Sequence, residues 1–325
     1  MEQAIWDRIT AGPSVAIVSH RDPDGDTLGS MLGLYHALKH AGTRCYAVNA
    51  SEIPLRYRFL PGVDRIRKAL PNEVEIVVTV DGAGPALFDV PLPPPEQVVV
   101  IDHHLEETPF GHLRLILPEM ASCAEVVYRL LTRVGALINR PAATALYTGL
   151  VSDTQFFKTD RVRADTLQAA AGLIQRGADP VAIARELSWQ MPLSLLRLKG
   201  RALTDMQLVL DGRLAYFIAT KEVLETTGAD LAEAKELPGE LLSATTAQVA
   251  LVVYERITGG VKCSLRSKSG VDVASIARGF GGGGHRYAAG FAGAALESEA
   301  VVNQIQSILQ KEFSRGTTDI PKEKQ

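Results

Sequence analysis

Residues 15–34 read VAIVSHRDPDGDTLGSMLGL and decide the fold of the first half of the chain. The run Val15–Val18 is apolar and β-branched, which predicts a buried strand. After it comes a turn that contains His20, Asp24 and Asp26. Apolar residues then recur at the spacing of an amphipathic helix, at Leu28, Met31, Leu32, Tyr35 and Leu38. The stretch therefore predicts a strand, a polar turn and a helix.

The turn admits two interpretations from its residues alone. Asp26 or Thr27 could be the N-cap of the helix, with Pro23 and Gly25 forming the turn. Alternatively, its imidazole and carboxylates are metal ligands, because open α/β sheets bind ligands at the carboxyl ends of their strands. Other parts of the chain are needed to distinguish a capped helix from a metal site.

The composition is typical of a globular protein with more than one domain. The chain has 325 residues, of which 46% are hydrophobic and 22% are charged. A net charge of -3 argues against the coating of long nucleic acid, but it allows a small phosphorylated ligand. Cys45, Cys123 and Cys263 form no C-x-x-C pair, which argues against a cysteine-built zinc site and suits a reducing cytosol.

Neither a targeting segment nor a membrane span is predicted. The first residues, MEQAIWDRIT, lack the pattern of a signal peptide. No apolar run approaches the ~20 residues that a membrane-spanning helix needs. We therefore expect a cytoplasmic protein without membrane partners.

Strand and helix patterns alternate through the first part of the chain. The predicted strands are Val15–Val18, Arg44–Val48, Val74–Val80, Val98–Ile101 and Leu113–Leu117. The predicted helices are Thr27–Ala41, Cys123–Val134, Ala142–Val151, Arg163–Arg176 and Pro180–Leu187. This alternation is typical of the α/β class and predicts a mostly parallel sheet flanked by helices. Residues 1–190 are expected to form this domain.

The pattern changes near Met191. Residues 191–210 predict a linking helix, and residues 211–313 predict a smaller α/β domain. Its predicted elements are strands Arg213–Thr220, Thr246–Ile257 and Val261–Arg266, helix Asp272–Phe280, a glycine loop Gly281–Gly284 and helix Ser298–Phe313. The polar tail 314–325 is expected to be disordered. A cleft is expected between the two domains.

Further acidic and imidazole side chains lie at the ends of other predicted strands and helices. They are Asp81 after one strand, Asp102, His103 and His104 after another, and Asp153 after a helix. Because the carboxyl ends of parallel strands meet at one edge of a sheet, these residues should cluster with the opening turn. Carboxylates gathered in this way repel each other unless a cation compensates. Imidazole and carboxylate ligands without thiolate suit manganese, magnesium, cobalt or zinc, and their number predicts two ions.

A second candidate site lies in the last third of the chain. The four glycines Gly281–Gly284 would let backbone N–H groups approach an anion, and His285 and Arg286 add positive charge. A glycine run can also be a flexible linker, but aromatic and basic residues flank this one. Arg266 and Lys268, at the end of a predicted strand, would complete a phosphate-binding clamp.

Together these motifs resemble those of the DHH phosphoesterase superfamily. Asp102-His103-His104 matches the motif after which the family is named, and His20-x-x-x-Asp24-x-Asp26 resembles its first motif. Asp81 and Asp153 match the second and fourth motifs, and Gly281–Gly290 matches the DHH-associated domain. The resemblance extends from Ile17 to about Leu309. Chain length and the run Ser264–Lys268 resemble the nanoRNase and pAp-phosphatase branch, whereas Gln155 stands where a small residue is expected.

The resemblance implies two divalent ions, usually manganese. One would be held by His20, Asp24 and Asp81, and the other by Asp26, Asp81, His103 and Asp153. Two such ions bridged by Asp81 would polarise a water molecule into hydroxide. Asp102 would orient a neighbouring histidine, and His104 would stabilise the phosphoryl oxygens or protonate the leaving alcohol.

The activity implied by the resemblance is hydrolysis of short oligoribonucleotides and linear dinucleotides such as pApA to mononucleotides. Removal of the 3′-phosphate from 3′-phosphoadenosine 5′-phosphate is a further implied reaction. The substrate would be bound by Arg266, Ser267, Lys268, Gly283, Gly284, His285 and Arg286. Short single strands rather than duplexes fit this arrangement, and a homodimer is compatible with it. The alternatives are a pyrophosphatase or exopolyphosphatase with the same metal core, and a non-catalytic nucleotide-binding protein.

Overall fold

The computed structural model describes residues 1–82, 84–104, 109–189, 191–229, 234, 237–268 and 270–315, without the side chains of His285 and Arg315. The chain forms two compact units, Met1–Gln190 and Met191–Gln325. Residues 316–325 of the predicted tail lie outside the described residues, and a helix continues through Arg315. Within the described ranges, none of the helices has both the length and the apolar character needed to span a bilayer.

The first unit is built on a five-stranded sheet. Its strands are β1 (Val15–Ser19), β2 (Cys45–Val48), β3 (Ile76–Val80), β4 (Val98–Asp102) and β5 (Leu113–Ile116), in the order β2-β1-β3-β4-β5. Its helices are α1 (Glu2–Ala11), α2 (Gly25–His40), α3 (Cys123–Arg133), α4 (Arg140–Asp153), α5 (Ala164–Gln175) and α6 (Pro180–Ser188). All neighbouring strands are parallel, so the predicted α/β fold is confirmed.

The central strands are mostly apolar because both faces of the sheet are covered. Every residue of β1, β3 and β4 is buried. Helices pack on one face, whereas the other is covered by irregular segments that include Phe88 and Val90. Since the strands run in one direction, the residues that follow β1, β3 and β4 meet at one edge of the sheet.

Helices α2 and α4 pack closely through glycine. A Cβ atom on Gly29 would lie 2.5 Å from the carbonyl oxygen of Ala145 and 2.7 Å from the backbone nitrogen of Gly149. A Cβ atom on Gly25, the first residue of α2, would lie 2.0 Å from Oγ of Ser152. The two helices are therefore antiparallel, and the start of α2 lies beside the end of α4.

The second unit contains a six-stranded mixed sheet. Its strands are β6 (Gln207–Val209), β7 (Leu214–Ala219), β8 (Val249–Glu255), β9 (Val261–Ser267), β10 (Gly283–His285) and β11 (Ala288–Gly293), in the order β10-β11-β9-β8-β7-β6. Its helices are α7 (Leu193–Asp205), α8 (Lys221–Thr227), α9 (Leu237–Leu241), α10 (Val273–Gly279) and α11 (Ser298–Arg315). β7 and β8 are parallel, and the other neighbours are antiparallel. The predicted second, smaller α/β domain is thus confirmed.

Two local predictions for this unit need correction. The segment predicted as one helix ends at Asp205, because the following residues pair with β7 as strand β6. The predicted glycine loop is shorter than expected, because Gly283 and Gly284 belong to the edge strand β10. Gly284 has a φ of +137°, and its Cβ would lie 2.5 Å from the carbonyl oxygen of Ala288. Gly284 thus allows the close approach of β10 and β11. In addition, α1, α8 and α9 were not predicted.

Candidate metal centre

Imidazole and carboxylate groups converge at the carboxyl edge of the parallel sheet. The structure brings the predicted metal ligands into overlapping groups, whose candidate ligand atoms lie within 4.8 Å of one another in each group. These ligands are His20, Asp24, Asp26, Asp81, His103 and Asp153. The parallel sheet places the ends of β1, β3 and β4 together, and the packing of α2 on α4 adds Asp153.

The first group consists of His20, Asp24 and Asp81, with the buried hydroxyl of Thr27 between them. Thr27 Oγ1 lies 2.6 Å from His20 Nε2, 2.9 Å from Asp24 Oδ1 and 2.8 Å from Asp81 Oδ2. Thr27 thus holds together the three ligands of this group. The local sequence pattern predicts only a capping role for Thr27, because nothing in it places this residue against β3.

The N-cap of α2 is Asp24, not Asp26 or Thr27. Its Oδ1 accepts hydrogen bonds from the backbone N–H groups of Asp26 and Thr27, both at 3.0 Å. Asp24 therefore combines the two roles that sequence analysis treated as alternatives, because it caps the helix and also belongs to the first group.

The second group consists of Asp26, His103 and Asp153. His103 Nε2 lies 3.8 Å from Asp26 Oδ2 and 3.7 Å from Asp153 Oδ2. Asp26 and His103 are buried, and Asp153 is partly exposed. The group can therefore hold an ion and still remain accessible on the side of Asp153.

Asp81 belongs to both sides of the centre. Its Oδ2 lies 3.6 Å from His20 Nε2, whereas its Oδ1 lies 3.7 Å from His103 Nε2. Oδ1 is buried and has no hydrogen-bond partner among the residues that the structure describes. Such a buried acceptor is costly unless a ligand satisfies it. The residues present therefore fit a pair of cations with Asp81 between them.

Asp102 fixes the turn that carries the two histidines. Its Oδ1 accepts hydrogen bonds from the backbone N–H groups of His103 at 2.6 Å and His104 at 3.0 Å. The same oxygen lies 2.8 Å from Nδ1 of His104. Asp102 thus orients His104, whereas the sequence predicts only that it orients one of the two histidines.

The carboxylates of the centre are difficult to ionise together. Burial and the charges of Asp81, Asp153 and Asp24 raise the pKa of Asp26 well above its ordinary value. Burial and the charge of Asp81 also raise the pKa of Asp153 to about 7. Burial alone would likewise raise the pKa of Asp81, but its interactions with neighbouring histidines lower it. A divalent cation would relieve this repulsion.

The surroundings shift the pKa values of the three histidines in different directions. Burial opposes a charge on His20, but its interaction with Asp81 outweighs this effect and raises the pKa of His20 to about 9. Burial likewise opposes a charge on His104, but its hydrogen bond to Asp102 raises the pKa of His104. Burial lowers the pKa of His103, which favours the neutral ring that a metal ion needs.

The segment after Asp153 has an unusual backbone. Gln155, Phe156 and Phe157 have φ angles of +49°, +59° and +63°. A left-handed conformation costs a non-glycine residue about 1–2 kcal/mol. Gln155 thus occupies a position where glycine would be unstrained.

The predicted substrate-binding residues gather at the end of β9 in the second unit. Arg266 and Ser267 end this strand, and the backbone N–H of Ser267 donates to the carbonyl oxygen of Tyr287 at 3.0 Å. The turn with Arg286 therefore lies beside the strand end. β10, with Gly283 and Gly284, joins the sheet through β11. The side chain of His285 lies outside what the structure describes.

Two of these side chains bind the local backbone. The buried Oγ of Ser267 donates to the carbonyl oxygen of Val271 at 2.9 Å. Nζ of Lys268 donates to the carbonyl oxygen of Ala244 at 3.0 Å. Both side chains therefore stabilise the end of β9.

Comparisons with known proteins agree with this arrangement. A model of the DHH family N-terminal domain matches residues 14–150, and a model of the DHHA1 domain matches residues 215–313. The bifunctional oligoribonuclease and PAP phosphatase NrnA of Thermus thermophilus is 32% identical over 309 residues, which cover 94% of this chain and 91% of that protein. The protein of the same name from Bacillus subtilis is 28% identical, over 84% of this chain and 88% of its own.

A solved structure supports the same conclusion. The exopolyphosphatase-related protein from Bacteroides fragilis has a TM-score of 0.88 and 26% identity to this chain, and 95% of each chain is covered. The family predicted from the motifs is therefore confirmed, and the chain belongs to the DHH family, with its N-terminal domain and its DHHA1 domain.

Proposed function

We propose that this protein is a metal-dependent phosphoesterase that hydrolyses short oligoribonucleotides and linear dinucleotides to mononucleotides. It would also remove the 3′-phosphate of 3′-phosphoadenosine 5′-phosphate. The observation that carries the proposal is the position of Asp81, whose two carboxylate oxygens face His20 and His103. A pair of divalent ions is suited to in-line phosphoryl chemistry. The names of the Thermus thermophilus and Bacillus subtilis relatives support the substrate class.

Six residues would hold the two ions. His20, Asp24 and Asp81 would bind one, and Asp26, Asp81, His103 and Asp153 would bind the other. A ligand set of carboxylates and imidazoles without thiolate supports Mn²⁺ as the bound ion. Mg²⁺, a harder Lewis acid that prefers oxygen ligands, is the alternative. When bound, the ions would neutralise charge on the phosphoryl oxygens and lower the pKa of a water molecule.

His104 is proposed as the proton donor to the leaving alcohol. Because Asp102 accepts the Nδ1 proton at 2.8 Å, exchange with the substrate would take place at Nε2. Asp102 would act as a positioning residue, since it fixes both the ring and the turn. The buried position of its carboxylate supports this role.

The second unit is proposed to bind a substrate phosphate. Arg266 is half-buried at the end of β9, and Arg286 lies in the adjacent turn. Guanidinium groups bind phosphate with paired hydrogen bonds, which favours recognition of a terminal phosphate.

Net charge and cysteine usage support the kind of substrate and the location that we propose. A net charge of -3 supports a short rather than a long nucleic acid as the substrate. The free, buried thiols of Cys45, Cys123 and Cys263 support a reducing, cytoplasmic location.

A turnover panel tests the proposal. With Mn²⁺, a labelled 5′-phosphorylated dinucleotide, a longer oligomer, 3′-phosphoadenosine 5′-phosphate and pyrophosphate are compared side by side. The dinucleotide should have the highest kcat/KM, and Asp81→Ala should abolish turnover of every substrate. Arg133→Ala, at the exposed end of α3, serves as the control and should leave turnover unchanged.

Two other outcomes would replace the proposal. Faster hydrolysis of pyrophosphate or polyphosphate would favour the alternative that the name of the Bacteroides fragilis neighbour suggests. Binding of the dinucleotide without turnover at saturating Mn²⁺ would favour a non-catalytic nucleotide-binding protein.

A further inference from the structure

Arg161 contacts the metal centre from the turn that follows α4. Its Nη1 lies 3.1 Å from Nδ1 of His103, although the residue as a whole is exposed. One arginine in a turn matches no motif, so no sequence pattern predicts this contact. The contact is important because the other ring nitrogen of His103 faces the carboxylates of the centre.

The contact determines which nitrogen of His103 carries the proton. The two contacts of Nδ1 favour different tautomers, because the guanidinium of Arg161 at 3.1 Å only donates, whereas the carbonyl oxygen of Met120 at 3.3 Å only accepts. The shorter contact, with Arg161, makes Nδ1 the acceptor. The ring proton then lies on Nε2. This nitrogen faces the carboxylates of Asp26, Asp81 and Asp153 at 3.7–3.8 Å.

Coordination of an ion by His103 requires the opposite tautomer. Nε2 must then offer its lone pair, and the proton moves to Nδ1. The carbonyl oxygen of Met120, 3.3 Å from Nδ1, can accept a hydrogen bond from it. An N–H of Arg161 cannot remain against Nδ1, because two donors would meet. Ion binding therefore releases Arg161 from His103.

We propose that Arg161 is a phosphate-binding residue of this centre, held on His103 in the metal-free protein and released to the phosphoryl group when His103 coordinates an ion. The inference rests on the proposed metal centre and adds a substrate ligand that lies outside its motifs. A guanidinium can donate two parallel hydrogen bonds to phosphoryl oxygens. The substrate would thus gain this cationic partner only after the ion has bound.

Two binding measurements on the full chain distinguish this role from simple structural support. With saturating Mg²⁺, Arg161→Ala should weaken the binding of inorganic phosphate about ten- to a hundredfold. Its affinity for Mn²⁺ should be unchanged or higher, because a competing donor and a nearby positive charge are removed. Arg161→Lys should retain part of the phosphate affinity. Arg133→Ala removes the same charge from α3 and should change neither measurement.

The tautomer of His103 can be observed directly. ¹⁵N NMR of the imidazole nitrogens, assigned with a His103→Gln variant, should show the proton on Nε2 in the metal-free protein. Addition of diamagnetic Cd²⁺ should move it to Nδ1. In metal-free Arg161→Ala, the preference for Nε2 should decrease, since Met120 then offers the remaining partner of Nδ1.

Either of two results would overturn the proposal. One is a parallel loss of phosphate and Mn²⁺ affinity in Arg161→Ala, and the other is a tautomer that Cd²⁺ does not change. Phosphate binding that needs both the ion and Arg161 would support the proposal even if no nucleotide were hydrolysed. Failure of the proposed activity can thus be distinguished from failure of this inference.

Discussion

The Oδ2 atom of Asp26 accepts a hydrogen bond from the backbone N–H of Cys123 at 2.6 Å, across 97 residues of sequence. Its Oδ1 accepts a second one from Ala124 at 2.9 Å. Asp26 thus joins the start of α2 to the first turn of α3, where the helix dipole favours a negative charge. Residues that fix the start of α3 should therefore influence metal binding.

Glu125 is such a residue, and its replacement should weaken both stability and metal binding. Its Oε2 accepts a hydrogen bond from the backbone N–H of Ala121 at 2.9 Å, and Thr166 Oγ1 lies 3.2 and 3.1 Å from its two oxygens. Glu125→Ala leaves buried donors without partners, which should cost about 1–3 kcal/mol of unfolding free energy. Its Mn²⁺ affinity should fall about tenfold or more.

Urea denaturation and calorimetric Mn²⁺ titration measure these effects. Thr166→Val removes one donor to Glu125 and keeps the backbone contact, so its effects should be smaller. Wild-type Mn²⁺ affinity in Glu125→Ala would contradict the link from α3 to Asp26.

Divalent ions should stabilise the protein more as the pH rises. The pKa of Asp153 is raised from 3.8 to about 7, and that of His20 from 6.5 to about 9. In the metal-free protein, their stabilising contributions are therefore present below the ordinary values and lost as the pH rises through the raised ones. An ion binds the deprotonated forms, so it displaces these protons. The increase in Tm caused by Mg²⁺ should be small at about pH 5 and larger at about pH 8.5.

Asp153→Asn is the control for this pH dependence. This substitution should remove the pH dependence of the Mg²⁺-induced increase in Tm between about pH 5 and 7, because the titrating carboxylate is gone. An equal Mg²⁺-induced shift in Tm at both ends of this range would contradict the prediction.

Gly29 should not tolerate alanine. The added Cβ would meet backbone atoms of Ala145 and Gly149 at 2.5 and 2.7 Å, so α2 and α4 would have to separate. Gly29→Ala should lower the free energy of unfolding by about 1–3 kcal/mol, measured by urea denaturation. Gly200→Ala in α7 is the matched control, because its Cβ would meet nothing within 4 Å. It should raise the free energy by about 0.5–1 kcal/mol.

Gln155→Gly should stabilise the protein. Gln155 has a φ of +49°, which glycine adopts without the steric cost of a Cβ atom. We expect an increase of about 1 kcal/mol in the free energy of unfolding. Lys158→Gly, at an exposed position of the same turn without a positive φ, is the comparison and should not stabilise. A lower Tm in Gln155→Gly would show that the side chain contributes more than the strain costs.

The clustering of the candidate metal ligands was predictable because a parallel sheet brings the ends of its strands to one edge. His20, Asp81 and Asp102 each follow or end a strand of uniformly buried residues, so their convergence needed only strand direction. The DHH family was recognisable partly for the same reason, since several of the matching motifs lie at these strand ends. Thr27 and Arg161 were missed as members of the centre, because their contacts come from other elements and follow no local pattern.

Residue type and periodicity by themselves determined the α/β class and the donor atoms of the centre, because both depend on local patterns and on strand direction. Only the tertiary structure decided that Asp24 caps α2, that the two oxygens of Asp81 face different histidines, and that Arg161 contacts His103. These relationships depend on distances between atoms of separate elements, and packing such as that of Gly29 against α4 sets those distances.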